Sequence, residues 1–381
     1  MKIKQLQFAN ESWENRQAQP GFIGENCQLV LAFGGRKLVT EKIHFEYLRA
    51  NFPNASIVMN TTAGEILGNE VYDNTISVTA IQFENTITQC IELNVKDFFN
   101  SKEVGKTIMS RLQESAGLKG VFIISDGTHI NGSELVEGCN ELNPKEISIT
   151  GGLAGDGAAF EITLVGLNHA PEEGKVVAIG FYGDHIQIGH GSLGGWDEFG
   201  PSRTITHSNK NILFEIDGKN ALDLYKEYLG PYKEELPGSA LLFPLSLQEP
   251  GQQISYVRTI LTINEQEKSM TFAGNMPVGS KVRLMKASFD KLINASGIAA
   301  EESIKSIQNE SILAILVSCV GRKLILQERS DEEVVAANEI FGEDTFTTGF
   351  YSYGEIAPKH FSNRCGLHNQ TMTITTLTEV L

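Results

Sequence analysis

Several polar side chains in the last third of the chain carry the charges that a small zwitterion would need. Arg322 follows an apolar run that is typical of a buried strand, and Glu355 lies on a later turn. An arginine can hold a carboxylate through two parallel hydrogen bonds, and a glutamate can accept hydrogen bonds from an ammonium group. We therefore predict a ligand-binding wall formed by Arg322, Tyr351, Tyr353, Glu355, His368, Asn369 and Cys319.

A structural interpretation of the same charges stays open. Arg322 and Glu355 would then pair with each other, and Arg36 and Glu65 hold the corresponding places in an earlier part of the chain. A pair that recurs in a repeated pattern is typical of a contact that holds the unit together. The tyrosines are harder to explain in this way, because a buried hydroxyl needs a hydrogen-bond partner.

Cys319 and His368 are the residue types of a nucleophile and its base. Cys319 ends an apolar strand, however, and the sequence shows no third residue that would orient the histidine. We therefore predict that the protein is not an enzyme.

The eight histidines do not predict a metal site, because none lies in an HExxH motif or at another close ligand spacing. His185 and His190 would point to opposite faces of a regular strand. The glycine-rich segment 151–157 resembles a phosphate-binding loop but lacks the terminal Gly-Lys-Ser/Thr. Its glycines are better explained by a tight crossing between strands.

These residues must be positioned by a unit that the sequence repeats. An apolar run at 29–33 leads to Gly-Arg-Lys, a helical pattern, a second apolar run and Gly-Glu-Ile at 64–66; the same order recurs from 312 to 356. A repeat of this kind shows that one structural unit is used more than once. A third copy runs from 120 to 181, and a degraded fourth copy is expected from 240 to 277.

Strands that alternate with helices but also pair in hairpins predict mixed sheets. We predict a mixed α/β fold of two related layered sandwich domains, built from degenerate β-α-β-turn-β-β repeats. Asp217-Gly218 and Gly230-Pro231 are strong turn signals. They place the boundary between domains 1–218 and 219–381.

Composition limits the partners and the compartment. The 381 residues carry a formal net charge of -16, which disfavours nucleic-acid binding. The sequence has neither the apolar core of a signal peptide nor a membrane span. The five cysteines are scattered, which favours a reducing compartment. These features predict a cytoplasmic protein that does not bind membranes.

The motifs together resemble those of FIST proteins, named for F-box and intracellular signal transduction. The resemblance covers about 27–375 and is carried by 29–37, Gly64-Glu65-Ile66, Ser125-Asp126-Gly127, 151–156, 318–322, 349–356 and 367–371. It implies a FIST N-terminal domain followed by a FIST C domain, in a stand-alone bacterial sensory protein that binds a small ligand such as an amino acid.

The resemblance also implies partners and one alternative. FIST proteins occur beside histidine kinases, diguanylate cyclases and chemotaxis receptors, and this chain carries no output segment of its own, so a separate partner is expected. One branch resembles haem-bound nitric-oxide sensors that regulate histidine kinases. In that alternative His190 is the first candidate for the axial ligand, followed by His185, His129, His169 and His368. No cofactor is predicted otherwise.

Overall fold

A computed structural model of the chain describes residues 1–145, 147–236, 238–305, 307, 313–359 and 364–380. It confirms the predicted mixed α/β class with layered, mixed sheets. In the described part no helix is both long and apolar enough to span a bilayer.

Twenty-six strands and eight α-helices are defined in the described residues. The first segment contains β1 (Lys2–Ala9), β2 (Ser12–Ala18), β3 (Leu29–Gly34), α1 (Arg36–Val39), α2 (Lys42–Asn51), β4 (Ser56–Thr61), β5 (Glu65–Leu67), β6 (Glu70–Tyr72) and β7 (Ile76–Gln82). The second contains β8 (Ile87–Asn94), α3 (Ser101–Leu112), β9 (Leu118–Ser125), α4 (Gly132–Glu141), β10 (Ser148–Leu153), β11 (Val165–Leu167), β12 (Lys175–Tyr182) and β13 (Ile186–Leu193).

The remaining elements fall into two further segments. The third contains β14 (Asp197–Asn209), β15 (Ile212–Ile216), β16 (Lys219–Asn220), α5 (Ala221–Leu229), β17 (Leu245–Gln248), β18 (Tyr256–Arg258), β19 (Ile260–Asn264), β20 (Ser269–Phe272) and β21 (Lys281–Lys286). The fourth contains α6 (Phe289–Ile304), β22 (Leu313–Cys319), α7 (Val320–Leu326), α8 (Ser330–Phe341), β23 (Phe346–Ser352), β24 (Gly354–Pro358), β25 (Cys365–His368) and β26 (Met372–Glu379).

Three units share one plan, as the sequence repeat predicts. In each unit a buried strand pairs in parallel with the strand after its helix and antiparallel with a third strand. These sets are β4-β3-β7, β10-β9-β12 and β23-β22-β26. The parallel strands are continuous apolar runs because both of their faces are covered.

The units are joined by exchange of the strand that follows each parallel pair. β5 of the first unit pairs with β23 of the third, β24 of the third with β10 of the second, and β11 of the second with β4 of the first. A ring of backbone bonds repeats this order: Ala63 N to Tyr351 O (2.9 Å), Tyr353 N to Leu153 O (3.1 Å) and Gly155 N to Thr61 O (3.2 Å). The three units therefore close around one centre with approximate threefold symmetry.

The outer edges follow the same cycle. β8 extends the second unit's sheet and β13 the third unit's, while β1 adds to β7 of the first. The ammonium of Met1 lies 2.9 Å from the carboxylate of Glu379, so the residue before β1 lies beside the last residue of β26. Strands from both sides of residue 218 share sheets, and the boundary at 218/219 stays a prediction about the sequence.

Glycines allow the sheets to approach each other closely. A Cβ on Gly151, where φ is +137°, would lie 1.9 Å from the carbonyl oxygen of Ile123, and one on Gly152 would lie 2.6 Å from Val317 Cγ1. Both glycines lie inside β10 rather than in a turn. Close packing of neighbouring backbone, not an anion, explains this part of the glycine-rich segment.

The predicted fourth copy is wrong. Residues 197–286 form an eight-stranded antiparallel sheet, here called the inserted sheet, whose strands lie in the order β18-β17-β21-β14-β15-β20-β19, with β16 beside β15. The segment from 240 to 277 lacks the parallel pair that defines a unit. Its alternating strands pack instead around α5 in a separate core. The entry and exit strands β14 and β21 pair with each other.

Candidate functional site

The structure places the seven predicted ligand-binding residues around the strand ends of the third unit but divides them among several clusters. Six of the seven are buried, and Tyr353 is partly exposed. What each side chain can bind therefore depends on its immediate partners.

Arg322 belongs to a cluster in which protein groups already hold its guanidinium. It is fully buried at the start of α7, and its Nη2 lies 2.6 Å from Glu333 Oε2 on α8. The guanidinium also donates to the carbonyl oxygens of Gly194 and Leu292 and to Ser296 Oγ. Four residues thus hold the guanidinium. One of them, Gly194, belongs to the segment that leads into the inserted sheet.

Tyr351 completes this cluster. Its hydroxyl donates to Glu333 Oε1 at 2.8 Å, and Ser318 Oγ donates to the same oxygen at 2.9 Å. Burial and the adjacent carboxylate raise the pKa of Tyr351, so the phenol stays protonated. The predicted pair of Arg322 with Glu355 is wrong, since the partner of Arg322 is Glu333.

Glu355 has the same surroundings as Glu65. Each is fully or almost fully buried, and each accepts bonds from a hydroxyl three residues earlier and from the N–H and hydroxyl of one threonine: Ser352 and Thr371, and Thr62 and Thr75. Burial raises the pKa of Glu355 to about 8 and that of Glu65 to about 7. The equivalence shows that this position stabilises the turn in both units.

Tyr353 reaches into the second unit. Its hydroxyl hydrogen-bonds the carboxylate of Asp156 and accepts from the backbone N–H of Phe160 at 3.0 Å. The two rings stack with centroids 4.4 Å apart. Asp156 also pairs with Arg36 at 3.0 Å. Tyr353 therefore fixes the exposed loop after β10.

Cys319 and His368 do not have the surroundings of a nucleophile and its base. Burial raises the pKa of the Cys319 thiol, and the nearby carboxylate of Glu355 raises it further. A thiol that resists ionisation is a poor nucleophile. Nε2 of His368 lies 3.1 Å from the carbonyl oxygen of Ala357.

His190 lies on β13, between the sheets of the second and third units. Its Nδ1 is 3.3 Å from Ser148 Oγ, and burial lowers its pKa. Two residues before it, Ile188 Cδ1 would lie 2.5 Å from a Cβ on Gly120. The sheets are in contact on this side of β13, so a porphyrin would have to separate them. The residues as placed do not fit haem against His190.

A different arginine meets the predicted His368-Asn369 segment. Arg258, on β18 of the inserted sheet, is 3% exposed and donates to the carbonyl oxygens of Leu367 (3.1 Å) and Asn275 (3.4 Å). Its Nη1 lies 3.5 Å from Asn369 Oδ1. Within the described ranges, Nη2 makes no hydrogen bond and no carboxylate lies within 4 Å of the guanidinium.

Three charged or aromatic neighbours complete this arrangement. Arg258 Cζ and Lys359 Nζ both lie over the ring of Tyr256, at 4.3 and 4.9 Å from its centroid. The Tyr256 hydroxyl hydrogen-bonds the carboxylate of Glu249. Burial lowers the pKa of Arg258 to about 10 and also lowers that of Lys359. We call the group Glu249, Tyr256, Arg258, Lys359 and Asn369 the seam.

Polar contacts hold the inserted sheet against the units near the seam. Asn275 bonds Asn131 at 3.1 Å, and Trp196 Nε1 donates to the carbonyl oxygen of Gln370 at 3.0 Å. Gln370 Nε2 reaches the carbonyl oxygen of Leu241 at 3.4 Å, while its Oε1 is buried and has no hydrogen-bond partner among the described residues. An unpaired buried acceptor is costly unless a ligand or water supplies a donor.

Sequence reasoning missed Arg258, Tyr256, Lys359 and Glu249. Arg258 lies in an alternating strand with no neighbouring motif, and its pattern is that of an ordinary surface position. One signal for this place was available in the sequence. The family resemblance singled out His368-Asn369, and Asn369 is part of the seam.

Fold and site together define a mixed α/β protein in which three related units carry an inserted antiparallel sheet over a buried polar junction. Family comparison agrees with this description: the FIST N domain model matches residues 28–219 and the FIST C domain model matches residues 221–358. The chain belongs to the FIST family. FIST domains are associated with signal transduction and the sensing of small ligands. None of the curated proteins compared with the chain matches it.

Proposed function

We propose that the protein senses an amino acid or a similar small carboxylate and that the ligand binds at the seam. The observation that carries this proposal is Arg258, a buried guanidinium with no carboxylate within 4 Å in the described residues. The charge of Glu249 acts on this guanidinium from beyond ion-pair distance. Burying a charge without a close counterion costs several kcal/mol. A ligand carboxylate would supply the missing partner, and Nη2 is the donor available for it.

The other end of the ligand has a partner as well. In the part of the chain that the structure describes, the carboxylate of Glu249 is the one that bonds the Tyr256 hydroxyl. An α-ammonium group beside it would complete the charge pairing of a zwitterion. Asn369, already 3.5 Å from Arg258, is placed to bond the ligand as well.

The ligand would transmit its presence by joining two parts of the molecule. Arg258 and Glu249 belong to the inserted sheet, whereas Lys359 and Asn369 belong to the third unit. A ligand bound between them favours the arrangement in which both sides are close, and only this difference in affinity shifts the population. We propose that a separate partner, a histidine kinase, diguanylate cyclase or chemotaxis protein, reads the shift in the cytoplasm.

We further propose that the protein acts by binding rather than by catalysis. Cys319 is the one cysteine among the predicted site residues. The raised pKa of its thiol supports this proposal, because a protonated thiol is a poor nucleophile. The five cysteines are all free thiols, which fits a reducing compartment.

A thermal-shift screen with free amino acids tests the proposal. A ligand that binds only the folded state raises the free energy of unfolding by RT ln(1 + [L]/Kd), which is about 2.7 kcal/mol at a ligand concentration of a hundred times Kd. The melting temperature rises accordingly. We expect a shift for wild type and none for Arg258→Met. A shift of equal size in Arg258→Met would show that the ligand binds elsewhere. Arg203→Met, which removes a partly exposed arginine on β14, is the matched control and should keep the full shift.

A further inference from the structure

The charges at the seam specify more than a zwitterion. Two cations, Arg258 and Lys359, lie over one tyrosine ring, and one carboxylate, Glu249, bonds the hydroxyl of that ring. In the described part of the chain neither Lys359 Nζ nor the Arg258 guanidinium forms an ion pair within 4 Å, and the charge of Glu249 acts on both from farther away. The seam has one positive charge in excess, and the nearby Arg364 adds another that acts on Lys359, although the whole chain carries a formal net charge of -16.

The excess lies in a place where it is costly. Lys359 is partly buried, and Arg258 lies close enough that its charge opposes the charge of Lys359. Like charges held together destabilise one another unless an anion separates them. Both charged groups lie over the same aromatic ring. Glu249 favours the charge of each from beyond ion-pair distance, and one carboxylate serves two cations.

We infer that the seam takes an acidic amino acid: Arg258 holds the α-carboxylate, Lys359 the side-chain carboxylate and Glu249 the ammonium group. This inference rests on the proposed function and names its ligand class. A ligand with two carboxylates and one ammonium matches the two cations and one carboxylate of the seam in number and sign. The planar guanidinium of Arg258 suits the α-carboxylate, because it can fix the orientation of that group through two hydrogen bonds. The flexible ammonium of Lys359 suits the carboxylate at the end of the ligand's side chain.

The test is isothermal titration of the full chain with L-glutamate and with L-glutamine, which has the same shape but lacks the second negative charge. We expect glutamate to bind at least about tenfold more tightly, a difference of about 1.4 kcal/mol. Lys359→Gln should remove this preference by weakening glutamate alone. Lys233→Gln, at an exposed lysine of the inserted segment, is the matched control and should leave the preference intact.

The possible failures are distinguishable. If glutamine binds wild type as tightly as glutamate and Arg258→Met abolishes both, the inferred ligand class is wrong and the proposed function stands. If neither amino acid, nor any other, binds wild type, both are wrong. If glutarate, which lacks the ammonium group, binds as tightly as glutamate, the two carboxylate subsites stand and the role of Glu249 is wrong. If Lys359→Gln is unfolded, Lys359→Arg should retain the preference for glutamate.

Discussion

Replacing the two buried arginines by methionine should have unequal consequences, because Arg322 has a carboxylate within ion-pair distance, whereas the charge of Glu249 acts on Arg258 only from farther away. Arg322→Met leaves the fully buried carboxylate of Glu333 without its cation. Breaking a buried ion pair by removing one partner costs about 3–5 kcal/mol. The hydroxyls of Ser318 and Tyr351 still bond that carboxylate, so we expect the lower half of this range.

Arg258→Met removes a buried charge that lacks a carboxylate partner. The variant loses hydrogen bonds to the carbonyl oxygens of Leu367 and Asn275, which destabilises it, but it also loses the cost of burying the guanidinium. Because these contributions oppose each other, we expect a net change within about 1 kcal/mol.

Urea unfolding followed by tryptophan fluorescence measures both changes. Adding Glu333→Gln to Arg322→Met removes the orphaned charge and should restore part of the stability, and the double-mutant cycle gives the coupling of the pair. The reasoning is refuted if Arg322→Met is as stable as wild type. It is equally refuted if Arg258→Met unfolds at much lower urea than Arg322→Met, since Arg258 would then be the structural arginine.

Three further predictions concern single side chains. Burial raises the pKa of Glu355 to about 8, so its contribution to stability is full below its ordinary pKa of 4.5 and is lost as the pH rises through about 8. Glu355→Gln should therefore flatten a melting-temperature profile between pH 4.5 and 8, and an unchanged slope in that window would contradict this. Glu379 behaves in the opposite sense. Burial alone would raise its pKa, but hydrogen bonds from backbone N–H groups and from the Met1 ammonium outweigh burial and lower the pKa to about 2. Stability is therefore lost as the pH falls from 4.5, and Glu379→Gln should abolish that loss. Tyr353→Phe removes the hydroxyl that bonds Asp156 and should cost about 1 kcal/mol and speed amide exchange at Phe160; exchange equal to that of wild type would show that the loop is held by other contacts.

The repeat made much of the fold predictable. The first and third units are each marked by an apolar run followed by Gly-Arg-Lys, and later by Gly-Glu-Ile. The order strand, helix, strand, turn, strand holds in both. Which unit receives an exchanged strand could not be predicted. The exchanged strands have only three to five residues, so their partner is decided by the closure of three units around one centre and not by a local signal.

The inserted sheet was predicted wrongly for a related reason. Ala240 to Phe243 look like the apolar start of another unit, but the first three of these residues lie in a 3₁₀ helix, Gly238–Leu242, against the core of the inserted sheet. A short apolar run cannot by itself distinguish a buried strand from a helical turn.

The candidate site shows what spacing cannot reveal. Arg322 and Glu355 were chosen because their charges are close in sequence to glycine turns, yet Arg322 pairs with Glu333, eleven positions along the chain, on the next helix. Arg258 faces Asn369 across more than a hundred residues. Only the folded chain shows which buried arginine has a carboxylate within ion-pair distance and which one does not.

Amide hydrogen exchange of the wild-type chain with and without saturating L-glutamate tests the central claim most directly. A ligand at the seam should slow exchange in β18 and from Leu367 to Asn369, the segments that meet at Arg258, and leave α8 around Glu333 unchanged. Protection around Glu333 with none in β18, or no protection anywhere in the chain, would contradict the assignment of the seam as the ligand site.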